Sequence, residues 1–409
     1  MEYGLLGETL SHSYSPRIHA LLGNYDYRLL PTPPEEVAPL LKRREFQGLN
    51  VTIPYKTTVL PLCDQVAPEA QRIGSINTIV HRNGALWGYN TDFDGFLALL
   101  HHAGVELFRK KLLILGSGGT MRTVRAVAEH LRAREIVVVS RSGDVTYRHL
   151  HLHRDADVIV NTTPVGMFPC AGAAPVDLTP FPHLSGVLDV VYNPLRTALI
   201  LQAQQLGIPC SGGLPMLVEQ ARRAAELFTG RRVPSAQSVL SHLTRETENL
   251  ILIGMPGCGK STIGAALAAQ LNRPHADTDE LLTKRHGVSI PELMEIHGIN
   301  GFRKLETALL AEIGQQSGLV ISTGGGVVTQ SENFSLLRQN GCLIRLTRPL
   351  SQLVTEGRPL SVDLPRLWQE REPLYRSWAQ LVIENNAAPH AVAARLWEVY
   401  HEAAGSEWT

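Results

Sequence analysis

The chain has 409 residues, of which 44% are hydrophobic, and its 38 lysines and arginines balance its 38 aspartates and glutamates. A globular chain of this length is expected to form two or three domains, each with its own core. The balanced charge gives no indication of a nucleic-acid or membrane-surface partner. No N-terminal segment resembles a signal peptide, and no apolar run is long enough to cross a bilayer.

The five cysteines are scattered along the chain and form no C-x-x-C pair. An odd number of dispersed cysteines is more typical of a reducing cytoplasm than of a disulfide scaffold. We therefore expect a cytoplasmic α/β protein. The sequence makes no prediction about its oligomeric state.

The first polar cluster lies near the N-terminus, at the start of a predicted helix. Residues 11–16 read Ser-His-Ser-Tyr-Ser-Pro, and serine hydroxyls near a helix start can hold a carboxylate. Further on, a predicted strand ends with Lys56, and Asp92 lies in a loop of sequence Tyr-Asn-Thr-Asp. Such a lysine and carboxylate could share proton transfer to a carbonyl oxygen while a cofactor delivers hydride. Their spacing alone does not pair them.

A dinucleotide-binding unit is predicted in the middle of the first 230 residues. The strand-like run 111–115 leads into a glycine turn at 116–119, a helical pattern follows, and a second strand occupies 136–139. Met121 stands where the third glycine of the fingerprint would be. After the second strand the chain reads Ser-Arg-Ser at 140–142, where NAD sites usually place an acid. Because a guanidinium attracts the extra phosphate of NADP, we expect NADP as the cofactor.

These motifs resemble those of shikimate dehydrogenase, and the match is dense from Gly7 to Gly230. The resemblance implies that Lys56 and Asp92 are the catalytic pair. It implies a substrate pocket lined by Ser13, Ser15, Thr52, Asn77, Asp92, Tyr192 and Gln220. It implies an NADP site formed by Gly116, Ser117, Gly118, Gly119, Thr120, Ser140, Arg141, Ser142, Val190 and Gly213.

Two places depart from the shikimate dehydrogenase pattern. Phe93 follows the Asn-Thr-Asp motif where the family usually has glycine. Thr120 and Met121 replace the usual small residues at the cofactor turn. Neither change removes a chemical group from the implied sites, but either could change affinity.

The C-terminal part contains Gly-x4-Gly-Lys-Ser at 254–261, between a strand-like run at 250–253 and a helical pattern. In this context the glycines let backbone N–H groups surround nucleotide phosphates, and the helix adds its positive N-terminal end. Lys260 would reach the β- and γ-phosphates, and the Ser261 hydroxyl would hold Mg²⁺. This part of the chain is therefore predicted to bind a nucleoside triphosphate.

Further polar motifs follow the phosphate loop. Asp277 and Asp279 stand on alternate residues, where one could reach the Mg²⁺ shell while the other faces a substrate hydroxyl. A strand-like run at 320–323 leads into three glycines, which let the backbone approach a bound substrate closely. Guanidinium forks suit carboxylate and phosphate oxygens, and candidates are Arg303, Arg358 and Arg371.

In this order the motifs resemble shikimate kinase, from about Asn249 to the C-terminus. The resemblance implies that Asp279 takes the proton of the acceptor hydroxyl and that Lys260 is a second catalytic residue. It implies an ATP site formed by Gly257, Cys258, Gly259, Lys260, Ser261, Thr262 and Arg358. It implies a substrate site formed by Asp279, Arg303, Gly324, Gly325, Gly326 and Arg371. Mg²⁺ would be held by Ser261 and Asp277. The short interval from Arg358 to Arg371 predicts a trimmed lid.

The two resemblances together imply the fold class and the division of the chain. We expect an α/β protein with a substrate domain and a Rossmann-like NADP-binding domain, followed by a P-loop kinase domain with a parallel sheet. The dehydrogenase-like region would span 1–244, with its substrate domain at about 1–95 and 214–244 and its NADP-binding domain at about 96–213. The kinase-like domain would span 245–409.

The combined hypothesis is a bifunctional enzyme of the shikimate pathway. Its first half would reduce 3-dehydroshikimate with NADPH, and its second half would phosphorylate shikimate with MgATP to shikimate 3-phosphate. Three alternatives stay open: a first half that uses quinate, one half that is a degenerate regulatory module, and a kinase for another small hydroxy acid or nucleoside. The intact set Lys56, Asp92, Lys260, Asp279 and Arg303 argues against a degenerate half.

Overall fold

The computed structural model describes residues 2–10, 13–354 and 363–406. The chain divides into two compact units. Unit 1 consists of Met1–Met167, Ala173–Tyr192 and Gln202–Leu243, and unit 2 consists of Phe168–Gly172, Asn193–Leu201 and Thr244–Thr409. Among the described helices, none combines the length and apolarity that crossing a membrane requires.

Six strands form the first sheet of unit 1: β1 (Tyr3–Gly7), β2 (Tyr27–Pro31), β3 (Gly48–Val51), β4 (Gln65–Val66), β5 (Thr78–Arg82) and β6 (Ala85–Tyr89). Their spatial order is β2-β1-β3-β5-β6-β4. The sheet is mixed, because β1 runs parallel to β2 and β3 whereas β5 runs antiparallel to β3 and β6. Three helices lie between these strands along the chain: α1 (Ser15–Leu22), α2 (Pro34–Arg43) and α3 (Pro68–Ile73).

Six parallel strands form the second sheet of unit 1: β7 (Lys111–Leu115), β8 (Glu135–Ser140), β9 (Val145–Thr146), β10 (Val158–Asn161), β11 (Gly186–Asp189) and β12 (Cys210–Ser211). Their order is β12-β11-β10-β7-β8-β9, which is the order of the doubly wound dinucleotide-binding fold. The strands predicted at 111–115 and 136–139 are thereby confirmed.

The helices of this region are α4 (Asp92–Ala103), α5 (Gly119–His130), α6 (Ala198–Gln205), α7 (Leu214–Thr229) and α8 (Ala236–Thr247). The central strand β7 is buried along its whole length, as expected for a parallel strand covered on both faces. α5 buries Val124, Val127 and Ala128, which share one face of the helix. Along the sequence the chain passes from one unit to the other after Met167, after Gly172, after Tyr192, within α6 and within α8.

Unit 2 is built on one parallel sheet: β13 (Asn249–Ile253), β14 (His275–Asp277), β15 (Val320–Ser322), β16 (Gly341–Thr347) and β17 (Leu381–Glu384). The strand order is β14-β15-β13-β16-β17. Its helices are α9 (Lys260–Leu271), α10 (Thr278–His286), α11 (Ile290–Ile313), α12 (Glu332–Arg338), α13 (Leu364–Trp378) and α14 (Pro389–Ser406). The described chain also contains short 3-10 helices at Leu60–Leu62, Tyr147–His153, Val327–Thr329 and Leu350–Gln352.

His19 is a buried titratable residue in the first layer of unit 1. It lies on α1 with no exposed surface, its ring stacks on Tyr27 at 3.8 Å between centroids, and its Nδ1 lies 2.6 Å from the Tyr25 hydroxyl oxygen. Burial lowers the pKa of His19 to about 3. The histidine is therefore neutral in the folded protein at physiological pH.

The depressed pKa of His19 predicts part of the acid sensitivity of unit 1. Between the folded pKa of about 3 and the unfolded pKa of about 6.5, the unfolded chain binds a proton that the folded chain does not, so stability falls as pH falls. Going from pH 7 to pH 5, His19→Gln should lose about 2 kcal/mol less stability than the wild type. Hydrogen exchange of β1 and β3 amides, with intrinsic rates divided out at each pH, measures this. His101→Gln, at an exposed position, should behave as the wild type, and equal losses in all three proteins would contradict the assignment.

Candidate active sites

Lys56 and Asp92 form an ion pair in unit 1, with Nζ 2.6 Å from Oδ2. Their side chains are only 13% and 7% exposed. Their spacing in the sequence did not pair them, whereas the resemblance to shikimate dehydrogenase did, and the fold brings them together. The Ile76 N–H donates to the Lys56 carbonyl oxygen at 2.7 Å, which holds the lysine segment beside the residues that precede β5. Asp92 begins α4 just after β6, the neighbour of β5. A largely desolvated amine and carboxylate at this distance can exchange or relay a proton.

A network of amides adjoins the ion pair. Asn77 Nδ2 donates to Thr91 Oγ1 at 3.0 Å and to Gln220 Oε1 at 3.3 Å, while the Thr91 N–H donates to Asn77 Oδ1 at 2.7 Å. Thr91 immediately precedes Asp92, so the predicted residues Asn77, Gln220 and Asp92 lie in one cluster. Sequence reasoning assigned no role to Thr91, although its place inside the Asn-Thr-Asp motif was a signal.

A second polar group of unit 1 contains Ser13, Ser15 and Tyr192. The Ser15 N–H donates to Ser13 Oγ at 3.2 Å, and a hydrogen bond joins the side chains of Ser13 and Tyr192. Burial raises the pKa of Tyr192 to about 12, so the phenol keeps its proton at neutral pH. Thr52 lies at the carboxyl end of β3, where its N–H donates to the Leu6 carbonyl oxygen at 2.9 Å. These groups offer hydroxyl donors suited to a carboxylate.

The predicted cofactor turn lies directly beside the ion pair. Gly116 follows β7 and donates its N–H to the Val139 carbonyl oxygen at 2.8 Å. Gly119 begins α5, and a Cβ added there would lie 3.5 Å from the Cβ of Lys56. A Cβ added at Gly118 would meet no atom of the described residues within 4 Å, so there is open space beside the turn. The turn and the start of α5 are completed by Ser117 and Thr120.

The other predicted cofactor residues lie at the carboxyl ends of neighbouring strands. Ser140 ends β8 and is buried, whereas the two residues that follow it, Arg141 and Ser142, are exposed. The Val190 N–H donates to the Asn161 carbonyl oxygen at 3.0 Å, just beyond β11. Gly213 packs against the Val190 carbonyl group. This edge of a doubly wound sheet is the usual position of a dinucleotide site.

The phosphate loop of unit 2 joins β13 to α9. Gly259 has φ +99°, a conformation that favours glycine. Lys260 is buried, and its Nζ donates to the carbonyl oxygens of Gly254 at 2.8 Å and Met255 at 3.0 Å. Two of the other predicted ATP residues, Gly257 and Cys258, lie in the loop, and the hydroxyls of Ser261 and Thr262 belong to exposed residues of the first turn of α9.

Asp277 is buried at the end of β14 and caps α10. Its Oδ1 accepts hydrogen bonds from the Asp279 N–H at 3.0 Å and the Glu280 N–H at 3.3 Å. Within the described residues, no three His, Cys, Asp or Glu side chains are grouped to hold a metal ion. The Ser261 hydroxyl and the Asp277 carboxylate are the kind of oxygen groups that Mg²⁺ binds, and so small a set fits an ion whose other ligands are phosphate oxygens and water.

The turn Gly324–Gly326, after β15, brings the predicted substrate residues of unit 2 together. A Cβ added at the first glycine would lie 3.1 Å from Asp279 Oδ1. Arg371 Nη1 donates to the carbonyl oxygen of the second glycine at 3.0 Å. The third glycine packs so closely on the Arg303 guanidinium that a Cβ there would overlap it. Glu306 Oε1 would lie closer still to a Cβ at the first glycine, at 2.7 Å, so two carboxylates and two arginines surround this turn.

Arg303 has a buried carboxylate partner that the sequence left without a role. Its Nη1 donates to Glu306 Oε2 at 2.6 Å, and both side chains are almost fully buried. Burial raises the pKa of Glu306, while Arg303 opposes this rise. Glu306 Oε1 makes no hydrogen bond to any part of the chain that the structure describes. The sequence feature that could have identified this pair is its spacing, because residues three positions apart on a helix are neighbours.

Sequence reasoning also missed two residues at the carboxyl edge of this sheet. Asn385 follows β17 and donates from Nδ2 to the Cys258 carbonyl oxygen at 2.8 Å, which supports the phosphate loop. Arg348 follows β16, and its buried Nε has no hydrogen-bond partner among the described residues. The sequence feature that could have identified both residues is their position directly after a strand. The predicted lid residue Arg358 lies outside the described residues.

Comparison with protein families gives three matches. The chain matches the shikimate dehydrogenase substrate binding domain at residues 5–79 and the shikimate 5'-dehydrogenase C-terminal domain at 213–239. It matches shikimate kinase at residues 256–401. The resemblances to shikimate dehydrogenase and shikimate kinase are thereby confirmed.

Individual relatives support the first match. The chain is 34% identical to "Shikimate dehydrogenase (NADP(+))" of Clostridium perfringens, covering 56% of this chain and 93% of that protein. A shikimate 5-dehydrogenase structure from Thermus thermophilus, in complex with NADP(H) and shikimate, shares 34% identity with a TM-score of 0.55, covering 60% of this chain and 99% of that one. A quinate dehydrogenase from Corynebacterium glutamicum in complex with NAD shares 27% identity with a TM-score of 0.54, covering 59% and 98%. The chain therefore belongs to the shikimate dehydrogenase family and carries a shikimate kinase domain in its C-terminal part.

Proposed function

We propose that this chain catalyses two consecutive reactions: reduction of 3-dehydroshikimate to shikimate by NADPH, and phosphorylation of shikimate to shikimate 3-phosphate by MgATP. The main support for the proposal is that each unit contains a separate cluster of polar and charged groups suited to one of the two reactions. In unit 1 the Lys56–Asp92 ion pair adjoins the dinucleotide turn at Gly119. In unit 2 the turn Gly324–Gly326 joins Asp279 to two arginines, and its second glycine packs on Pro256 of the phosphate loop.

We assign the first reaction to residues 1–244, with a substrate domain at about 1–95 and 214–244 and an NADP-binding domain at about 96–213. When bound, NADPH supplies the hydride. The Lys56 ammonium group donates the proton to the carbonyl oxygen, and Asp92 orients that ammonium group across 2.6 Å. The amides of Asn77 and Gln220 hold ring hydroxyls of the substrate.

The remaining groups of unit 1 bind the ends of the two ligands. Ser13, Ser15, Thr52 and Tyr192 supply hydroxyl donors to the substrate carboxylate. The NADP site consists of Gly116, Ser117, Gly118, Gly119, Thr120, Ser140, Arg141, Ser142, Val190 and Gly213. Arg141 is the cationic member of this set, and it selects the cofactor that carries an additional phosphate.

We assign the second reaction to residues 245–409. MgATP supplies the phosphoryl group. Asp279 accepts the proton of the attacking hydroxyl, while Arg303 and Arg371 clamp the substrate carboxylate beside Gly324, Gly325 and Gly326. Glu306 positions Arg303 through their 2.6 Å contact.

The ATP site of this domain is formed by Gly257, Cys258, Gly259, Lys260, Ser261, Thr262 and Arg358. Lys260 exchanges its two carbonyl partners for phosphate oxygens and neutralises their charge. Ser261 and Asp277 would hold the Mg²⁺ ion, which would neutralise phosphate charge during transfer.

Quinate is the second candidate substrate of unit 1, because one structural neighbour is a quinate dehydrogenase. Quinate and shikimate both offer a ring carboxylate and ring hydroxyls to the same donors. One observation favours shikimate: the kinase domain in the same chain matches a family named for shikimate. A comparison of shikimate and quinate oxidation by the purified chain distinguishes the two.

The two activities should be separable by single substitutions. Lys56→Ala should lower reduction of 3-dehydroshikimate by about 10²–10⁴-fold, because the proton donor is lost, and should leave shikimate phosphorylation intact. Lys260→Met should do the reverse, because it removes the charge that meets the transferred phosphate. Reduction is assayed with 3-dehydroshikimate and NADPH, following NADPH consumption, and phosphorylation is assayed separately with added shikimate and MgATP, following shikimate 3-phosphate. Absence of either activity in the wild type, or loss of both in a folded Lys56→Ala chain, would refute the proposal.

Gly326→Ala should impair the kinase reaction alone. The added methyl group overlaps the Arg303 guanidinium, which must then leave the position from which it holds the substrate carboxylate. A charge-assisted hydrogen bond contributes about 1.5–3 kcal/mol, so the KM for shikimate should rise about 10–100-fold. Kinase kinetics measure this, and unchanged reduction of 3-dehydroshikimate is the internal control. A normal KM would show that Arg303 does not act from this position.

Arg141→Leu should change cofactor choice. NADPH should bind much more weakly, whereas NADH should bind about as before, because only NADPH carries the phosphate that the guanidinium meets. The ratio of the two KM values in the reduction assay measures the effect, with kinase activity as the control for folding. Equal losses for both cofactors would exclude Arg141 as the discriminating residue.

A further inference from the structure

The connection between β8 and β9 is unusually short for two parallel strands. Parallel neighbours normally require a crossover of a dozen or more residues, usually a helix. Here β8 ends at Ser140 and β9 begins at Val145, so only Arg141–Asp144 lies between them. The two strands are nevertheless paired, with Ser140 opposite Thr146. After only four residues, the chain therefore forms a new edge strand directly beside β8.

This register places Tyr147 next to Arg141. Because Ser140 is opposite Thr146, the following residues, Arg141 and Tyr147, leave adjacent strands at the same carboxyl edge. The Tyr147 phenol is close enough to the Arg141 guanidinium for the two groups to interact electrostatically. Burial has the larger effect and raises the pKa of Tyr147, so the phenol keeps its proton at neutral pH and can donate it in a hydrogen bond.

The backbone around Tyr147 is held by local hydrogen bonds. Tyr147 begins the short helix Tyr147–His153, and Thr146 caps that helix reciprocally with His149. The Thr146 N–H donates to His149 Nδ1 at 3.1 Å, and Thr146 is itself paired in β9. A residue fixed in this way needs little ordering when a ligand binds, which favours affinity.

We propose that Tyr147 is a second determinant of cofactor choice, and that its hydroxyl donates a hydrogen bond to the 2′-phosphate of NADP beside the Arg141 guanidinium. The inference rests on the proposed use of NADP. A phosphate monoester presents three acceptor oxygens, of which a guanidinium fork can take two. A neutral phenol on the adjacent strand end supplies a donor for the third. NAD has a hydroxyl group at this position, so Tyr147 would gain far less from binding it.

The experiment uses the full-length chain and the variant Tyr147→Phe, which removes only the hydroxyl. In shikimate oxidation, the KM for NADP⁺ should rise about tenfold, as expected for one hydrogen bond to a charged group. The KM for NAD⁺, the kcat with either cofactor and the kinase activity should stay within about twofold, since none depends on a contact to the 2′-phosphate. A fluorescence titration with NADPH gives the binding constant directly.

The matched control is Arg148→Gln, which changes the exposed neighbour of Tyr147 on the same short helix. It should leave the ratio of the two KM values unchanged, because the proposal assigns Arg148 no contact with the cofactor. A shift in that ratio for Arg148→Gln, without one for Tyr147→Phe, would overturn the proposal in favour of a general effect of positive charge.

A double variant, Arg141→Leu with Tyr147→Phe, tests whether both residues act on one group. Its loss in NADP⁺ affinity should be smaller than the product of the two single losses, because partners of one phosphate are not independent. The proposal fails if Tyr147→Phe leaves NADP⁺ affinity unchanged or lowers the affinity for NADP⁺ and NAD⁺ equally. It also fails if the affinity loss of the double variant equals the product of the two single losses. Failure of the underlying function looks different, because the wild type would then not oxidise shikimate with NADP⁺.

Discussion

The parallel arrangement of strands is the constraint on which both sites depend. Parallel neighbours end at the same edge of a sheet, so the loops that follow them are forced together. In unit 1 this edge collects the turn after β7, the Ser-Arg-Ser segment after β8 and Val190 after β11. In unit 2 it collects the phosphate loop after β13, Asp279 after β14 and the turn Gly324–Gly326 after β15. Each site is thus assembled from segments far apart in sequence.

Desolvation then determines how the charged side chains behave. Lys56 and Asp92 form a largely buried pair, and so do Arg303 and Glu306. A buried charge is tolerated because its partner is near, and this requirement keeps each side chain in one position. Glu306 shows the cost, because burial raises its pKa even though Arg303 lies 2.6 Å away. The contact thereby holds the arginine in one orientation.

Short connections add detail that is particular to this chain. The four-residue return from β8 to β9 replaces the helix that usually joins such strands, and it brings the Tyr147–His153 helix to the cofactor edge. Phe93 stands at a position where glycine is usual in the family, and the fold accommodates its larger side chain. It is buried in the core and packs edge-on against His130 at 5.6 Å between centroids. An apparent departure in sequence is here a packing contact.

The sequence by itself determined the local features whose cause is local. Buried strands were recognisable at 111–115 and 250–253 as runs of apolar residues, and the glycine turns after them needed no tertiary information. Pairings between distant residues were decided only by the tertiary structure. Lys56 and Asp92 are 36 positions apart and follow different strands, and Asn385 reaches the phosphate loop across 127 positions. The proximity of Tyr147 to Arg141 follows from a strand register, which propensities and spacing do not encode because it is set when neighbouring strands pair.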